Sequence, residues 1–600
     1  MIRRNPLQKQ RNRARRSKPV AQRVSWSQRM SGWLNRWHAR RAAKMRPPTG
    51  FLSQPEPRTI GRLAKGQQLV TGQVLLAGHL VDLDERSVWD VPPPSTRFTQ
   101  ELHGFGWMDD LAALGDRSAR DTAQDWTYEW IERFGDGRGP GWTPELTGRR
   151  VIRWINHAVL LTAGQNRTNT DALHLSLAQQ TLFLAKRWSA APPGLGRFEA
   201  LTGLIDAGLS LRGMEAHVDT AADRLAQECK LRVDAGGGVP TRNPEDLLEI
   251  FTLLNWAALT LAESGRKART DHAAAIERIA PTLRSLRHSD GGLARFHGGG
   301  RGGEGRLDQA LATSGVRTGM APGLAMGYAR LHGGRTSLIM DAAAPPVGEA
   351  AFDAHASTLA IEVTSGRRPM IVSCGSGAEF GAAWHKAGRA TPSHSVLGLD
   401  GYSSSRLVGD GENLRLTGGP HEVHAQPVTD DGLSGIVAGH DGYMPTHGLG
   451  YVRRIEMSND GRMIYGEETL AAVSETERAK FDTAMSRERG IPFSLRFHLH
   501  PDVDASLDLG GTAISLALKS GEIWVLRYEG KYRLRLERSV FLEKGRLEPR
   551  AAKQVVLSGV ALDYATGIRW SLAKAQDTPV GLRDLVMDDD LPALLEDLRD

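Results

Sequence analysis

Histidine and cysteine are the side chains best suited to soft-metal binding and to proton transfer near neutral pH, and in this 600-residue chain they gather between Asp353 and Asp400. That stretch reads DAHASTLAIEVTSGRRPMIVSCG and then, after a loop, SHSVLGLDG. Leu359, Ile361 and Val363 alternate with polar neighbours, and Met370-Ile-Val-Ser follows a Ser-Gly turn, which predicts a hairpin with His355 and Cys374 near the same end. His394 opens the next strand, Val396 to Leu399. Two imidazoles and a thiol at strand ends make His355, Cys374 and His394 a candidate soft-metal set. The plainer alternative is a small core thiol and histidines bonded to backbone.

These residues need elements to hold them, and the chain supplies two kinds. From about residue 106 to 335 the apolar residues recur at helical spacing: Trp126, Trp130 and Phe134, then Val151, Ile152, Ile155, Val159 and Leu160, then Leu247, Leu248, Ile250, Phe251 and Leu254. Breaks at Pro192-Pro193-Gly194 and Gly236-Gly-Gly make this a stack of antiparallel helices. From 336 to 575 short strands alternate with turns, as in Arg453-Arg-Ile-Glu-Met before Asn459-Asp-Gly, Phe493 to Leu499, and Ile523-Trp-Val-Leu, which predicts a large antiparallel β-sandwich. Residues 51–105 read as a lead-in with β-like content between Leu69 and Leu83, and 576–600 as an acidic tail.

Charge is unevenly placed. Residues 1–50 hold 15 of the 76 lysines and arginines and no acid, leaving 61 bases against 69 acids in the rest. The body is therefore acidic and the tail basic, so bulk charge implies no specific nucleic-acid groove on the body. Within the tail, Trp26, Met30, Trp33, Leu34 and Trp37 fall at helical spacing among Arg29, Arg36, Arg40 and Arg41, an amphipathic basic helix expected over residues 23–46. It suits an anionic membrane surface, RNA, or docking on the body through its tryptophans. The first eighteen residues, poor in apolar groups, are expected to be disordered. Two cysteines exclude a disulfide framework, and no stretch is apolar enough to span a bilayer. A standard secretory signal is also missing, which favours the cytoplasm.

The segments LRHSDGGLARFHG, RTSLIMDAA, HASTLAIEVTSGRRPMIVSCG and SHSVLGLDG, on a helical half followed by a strand half, resemble the heparinase II/III-like family of polysaccharide lyases. The resemblance spans roughly residues 106–575 and implies an incomplete α/α toroid followed by a β-sandwich. It also implies a carbon–oxygen lyase reaction, β-elimination on uronate-containing chains such as glycosaminoglycans, an acidic glycan as partner, and a periplasmic or cell-envelope setting. In that chemistry a positioned group neutralises the uronate carboxylate while a base takes the C5 proton and an acid protonates the leaving oxygen.

Carried over position by position, the resemblance is partial. The toroid motif Gly-Asn-His-Leu-Leu-Glu falls on Gly194-Leu-Gly-Arg-Phe-Glu199, so Asn and His become Leu195 and Gly196 while Glu199 remains. The segment that carries the family's tyrosine falls near Asp234 and the following VPTRNPEDLLEI, which has none. Asn156 and His157 supply residue types that neutralise a carboxylate, and Tyr443 a phenol, so these three join Glu199 as catalytic candidates. His440 and His498 are candidate substrate contacts; His498 and His500 share one strand face, and the plainer reading is an exposed face ending at Pro501. A structural zinc, held in some members by two His and an Asp, would fall here on His355 and His394, with Cys374 standing within one residue of the Asp. GGGRGGEG at 298–305 lacks the Lys-Ser/Thr of a phosphate loop and reads as a flexible loop over the groove. An alternative to the enzyme is a non-catalytic glycan-binding or cell-envelope assembly protein on the same scaffold.

Overall fold

The computed structural model describes residues 26–53, 56–409, 414–430 and 432–575. The first eighteen residues and the acidic segment 576–600 lie outside the described residues, as do residues 23–25 of the basic helix.

The helical half is a toroid of antiparallel pairs. Its elements bear on function through five helices: α1 (Trp26–Ala43), α2 (Pro144–Asn156), α3 (Arg167–Arg187), α4 (Leu195–Ser210) and α5 (Pro244–Glu263). Local chemistry sets their ends. The Asn243 side chain accepts from the amides of Glu245 and Asp246, with Pro244 in the first turn and two acids against the positive helix end. Asn166 caps α3 in the same way. Helices α2 and α4 touch backbone to backbone: a Cβ on Gly148 would lie 2.4 Å from the Glu199 carbonyl oxygen, so only glycine permits the approach. A helix at Thr96–Gly104 precedes residue 106, and the lead-in contains the hairpin Gln73–Leu76 with His79–Asp82.

The strand half is a sandwich of two large antiparallel sheets. One runs in the order Val423–Asp430, Leu433–Tyr443, Leu449–Ser458, Met463–Ala471, Ala565–Lys574, Ile523–Glu529, Ala513–Ala517 and Asp504–Asp508. The other contains β1 (Ile361–Ser365), β2 (Arg368–Val372), β3 (Leu397–Leu399) and β4 (Ile491–Leu499), with β4 pairing both β2 and β3. The change of composition at 336 falls inside a hairpin of this sheet, because Tyr328–Gly333 already pairs with Thr336–Asp341. A continuous apolar core runs from the toroid into the sandwich. Arg453 pins the two sheets together: it pairs with Glu468 at 3.0 Å and donates to the carbonyls of Leu359 and Ser395, on the two segments that carry His355 and His394.

Candidate functional site

The predicted hairpin exists as β1 and β2, and it brings His355 and His394 together with their ring centroids 5.2 Å apart. His297 joins them, accepting the His355 amide on Nδ1 at 3.1 Å and placing Nε2 3.3 Å from Asp341. Sequence reading missed this third imidazole because it lies on a loop about sixty residues upstream. Burial holds the imidazoles neutral, His394 being pushed down to about 3 and His355 well below the ordinary histidine value. Both ring nitrogens of His355 and Nε2 of His394 have no hydrogen-bond partner among the described residues.

Cys374 turns away from this cluster. Ser373 is the residue that faces His394, its hydroxyl 2.9 Å from Nδ1, while the Cys374 sulfur lies 3.4 Å from His498 Nδ1. Neighbouring side chains of an extended segment point to opposite faces, so an alignment shifted by one residue exchanges the two environments. Burial would raise the Cys374 thiol, but the facing His498 outweighs it and the net shift is downward. A structural zinc requires about four N, S or carboxylate donors near 2.0–2.3 Å. His355 and His394 offer two, while His297 is engaged by the His355 amide and Asp341; a serine hydroxyl stands at the next position, and no three His, Cys, Asp or Glu side chains among the described residues converge to hold a metal ion. The residues present do not form that donor set, so no chemical step is assigned to a metal.

The remaining histidine and tyrosine candidates are internal. His498 and His440 are 3% and 5% exposed, and His498 Nε2 contacts the Pro392 carbonyl at 2.8 Å. The Tyr443 hydroxyl donates to the Leu397 carbonyl, and burial pushes its pKa upward. These three side chains point into the sandwich, where a polymer does not reach, and His500, at 8% exposure, is likewise no part of an open strand face. His157 is bonded to Asp109 at 3.0 Å and Thr59 at 3.1 Å beneath the extended lead-in, and Asn156 is buried beside it.

Between toroid and sandwich lies a seam of charge. Glu199, the retained motif residue, accepts from Arg149 Nε at 2.8 Å, and Arg306 pairs with Glu249. Glu245 on α5 meets Lys544 of the sandwich at 2.5 Å and also accepts the amide of Gly300, which ties down the glycine loop at 298–305. Around them stand Glu101, Glu145, Asp246 and Glu379, with Lys65 and Arg153 as further cations linked to these groups. Burial raises Glu101, Glu145 and Glu199 and pushes Asp246 up to about 7. Carboxylates outnumber cations here, and Leu195 and Gly196 open α4.

A second surface is formed by α1. Its tryptophans do not dock on the body. Asn35, Ala39 and Ala42 face inward, Arg187 of α3 donates to Asn35 at 2.7 Å, and Gln179 of α3 donates to the Ala43 carbonyl at 2.8 Å. Trp26, Met30, Trp33 and Trp37 line the opposite face at 76, 39, 53 and 44% exposure, and Arg29, Arg36, Arg40 and Arg41 are exposed with them. No helix among the described residues is long and apolar enough to cross a membrane.

Comparison with known proteins gives consistent likenesses. The family described as heparinase II/III-like, C-terminal, matches residues 315–571. FtsZ-localized protein C of Caulobacter vibrioides (strain NA1000 / CB15N) is 30% identical over 537 residues, covering 88% of this chain and 91% of that protein. Among solved structures, heparinase III superposes with a TM-score of 0.62 at 12% identity, covering 91% of this chain and 89% of that one. Heparan sulfate lyase HepC from Pedobacter heparinus superposes with a TM-score of 0.53 at 15% identity, covering 92% and 89%. At such identities these structures establish the fold alone.

Proposed function

The chain belongs to the heparinase II/III-like family, as a divergent member, and from that membership we propose that it is a non-catalytic cell-envelope assembly protein that keeps the lyase scaffold as a glycan-binding body. The observation that carries this reading is the charged seam. Elimination needs a group that neutralises the uronate carboxylate as the C5 proton leaves. At the two motif positions stand Leu195 and Gly196, and the surrounding carboxylates would repel an acidic chain rather than receive it. The glycan such a seam favours is neutral or amine-bearing.

The outward face of α1 supports attachment to an anionic membrane surface. Each basic residue near such a surface contributes about 1 kcal/mol, and burying a large apolar side chain contributes about 1.5–3 kcal/mol. Four exposed apolar side chains and four arginines on one helix are enough for stable, reversible binding without a spanning segment. The likeness to FtsZ-localized protein C supports localisation with FtsZ, with the body presented at the membrane. A fluorescent fusion of the full chain tests this in cells: it should follow FtsZ, and diffuse distribution of the unaltered protein would refute the reading.

The fold itself and the retained Glu199 favour a second reading, a lyase that has moved its catalytic groups. Incubation with a panel of uronate polymers separates the two. The lyase leaves a C4–C5 double bond that absorbs in the ultraviolet; the scaffold yields no absorbance and on a glycan array retains neutral or amine-bearing glycans instead.

A further inference from the structure

The aromatic, basic face of α1 is uncovered in the described fold, and the chain itself carries a segment of complementary chemistry. Residues 576–600 contain eight aspartates and glutamates against Arg583 and Arg599. Within them Leu591, Leu594, Leu595 and Leu598 recur at the spacing of one helix face, directly after Asp588-Asp589-Asp590. We propose that segment 576–600 docks on the Trp33–Trp37 face of α1, leucines against indoles and carboxylates against Arg36, Arg40 and Arg41, and so competes with anionic headgroups for that face. The competition rests on the membrane reading above; the contact itself does not.

Three observations support this occupant. The exposed indoles at Trp33 and Trp37 give a leucine row something to cover, which the residues before Trp26, rich in arginine but lacking aromatics, do not. Residues 51–575 carry 59 bases against 61 acids, nearly balanced, while residues 1–50 carry 15 bases and no acid, so a strongly acidic segment finds its main field of positive potential at the amino-terminal end. Reach is also substantial. The last strand ends at Lys574, with the Ala575 amide bonded to the Ile523 carbonyl. From there the 16 residues to Leu591 extend on the order of 55 Å, most of the diameter of about 65 Å for a compact chain of this length.

The test uses the full chain with Trp33 replaced by the photo-crosslinker p-benzoylphenylalanine, and a second protein that also carries D588N, D589N, D590N, L594S and L595S. We expect crosslinks from position 33 to residues 584–600 that disappear with the tail substitutions. With Trp33 intact, the tail-substituted chain should bind phosphatidylglycerol-containing vesicles about tenfold more tightly than the parent. Crosslinks that fall on the body or on a second copy overturn the proposal, as does unchanged vesicle affinity with no crosslink to the tail. If neither protein sediments with vesicles while the crosslink to 584–600 persists, the membrane reading falls and the intramolecular contact stands.

Discussion

Arg242 of the toroid and Asp341 of the sandwich meet at 2.5 Å in a buried ion pair, joining halves of the molecule 99 residues apart in sequence. The same guanidinium donates to the carbonyls of Met326, Gly327, Ala343 and Ala344 and lies over the Tyr328 ring. On its other side Asp341 accepts from Ser357 at 2.7 Å and faces His297. One arginine therefore fixes the toroid to the sandwich and, through Asp341, supports the histidine cluster.

Removing that cation strands a buried carboxylate. Arg242→Ala should lower stability by about 3–5 kcal/mol, and Arg242→Lys should recover little of it, because an ammonium cannot reach the five acceptors at once. Denaturant unfolding measures both. Burial opposes ionisation of Asp341, but Arg242 and His297 hold its pKa well below the carboxylate range. A depressed carboxylate contributes stability above the unfolded value near 4 and loses it as pH falls through the folded value. The unaltered protein should lose stability steeply below about pH 4, and the alanine variant less so.

Asp246 behaves in the opposite sense. Burial pushes it up to about 7, with Glu245 and Asp353 adding repulsion and Lys544 opposing. Between the unfolded value and about 7 the folded state holds the extra proton, so stability falls as pH rises through that window. Asp246→Asn should be neutral at pH 4 and stabilising at pH 8, by on the order of 2 kcal/mol. Thermal unfolding of both proteins across that range checks the sign; an advantage that does not grow with pH refutes it.

The histidine cluster should hold no zinc that survives dialysis, because Ser373 replaces a carboxylate and Cys374 faces His498. Ser373→Asp restores an anionic donor beside His394 and should give a protein that retains about one equivalent of zinc. Cys374→Ser should leave metal content unchanged. Elemental analysis of the three proteins is the measurement, and stoichiometric zinc in the unaltered chain would overturn the assignment.

On α1, Trp33→Ala with Trp37→Ala removes exposed side chains and should alter folding stability by no more than about 0.5 kcal/mol. The same pair should weaken binding to anionic vesicles by tenfold or more. Ala39→Asp, on the buried face, should instead detach the helix, seen as faster hydrogen exchange over Trp26–Ala43. Vesicle co-sedimentation in low and high salt separates the apolar from the electrostatic part.

Much of this architecture is written locally. Apolar spacing over Val151–Leu160 and Leu247–Leu254 requires helices, and the Asn243–Pro244 start of α5 follows from capping alone. Alternation between Leu359 and Val372 requires a hairpin, which is why His355 and His394 could be paired from sequence. What alternation does not fix is which of two neighbours meets a partner. Ser373 and Cys374 differ by one position and by a whole environment, and only the packing of β2 against β4 assigned the thiol to His498 and the hydroxyl to His394. Burial of His440, Tyr443 and His498 likewise depended on a second sheet closing over them. For α1 the sequence determined that one face is aromatic and basic and the other small and polar. Tertiary structure decided which face the body takes, because Arg187 and Gln179 of α3 offer hydrogen bonds to Asn35 and the helix end, and so the tryptophans were left to the outside.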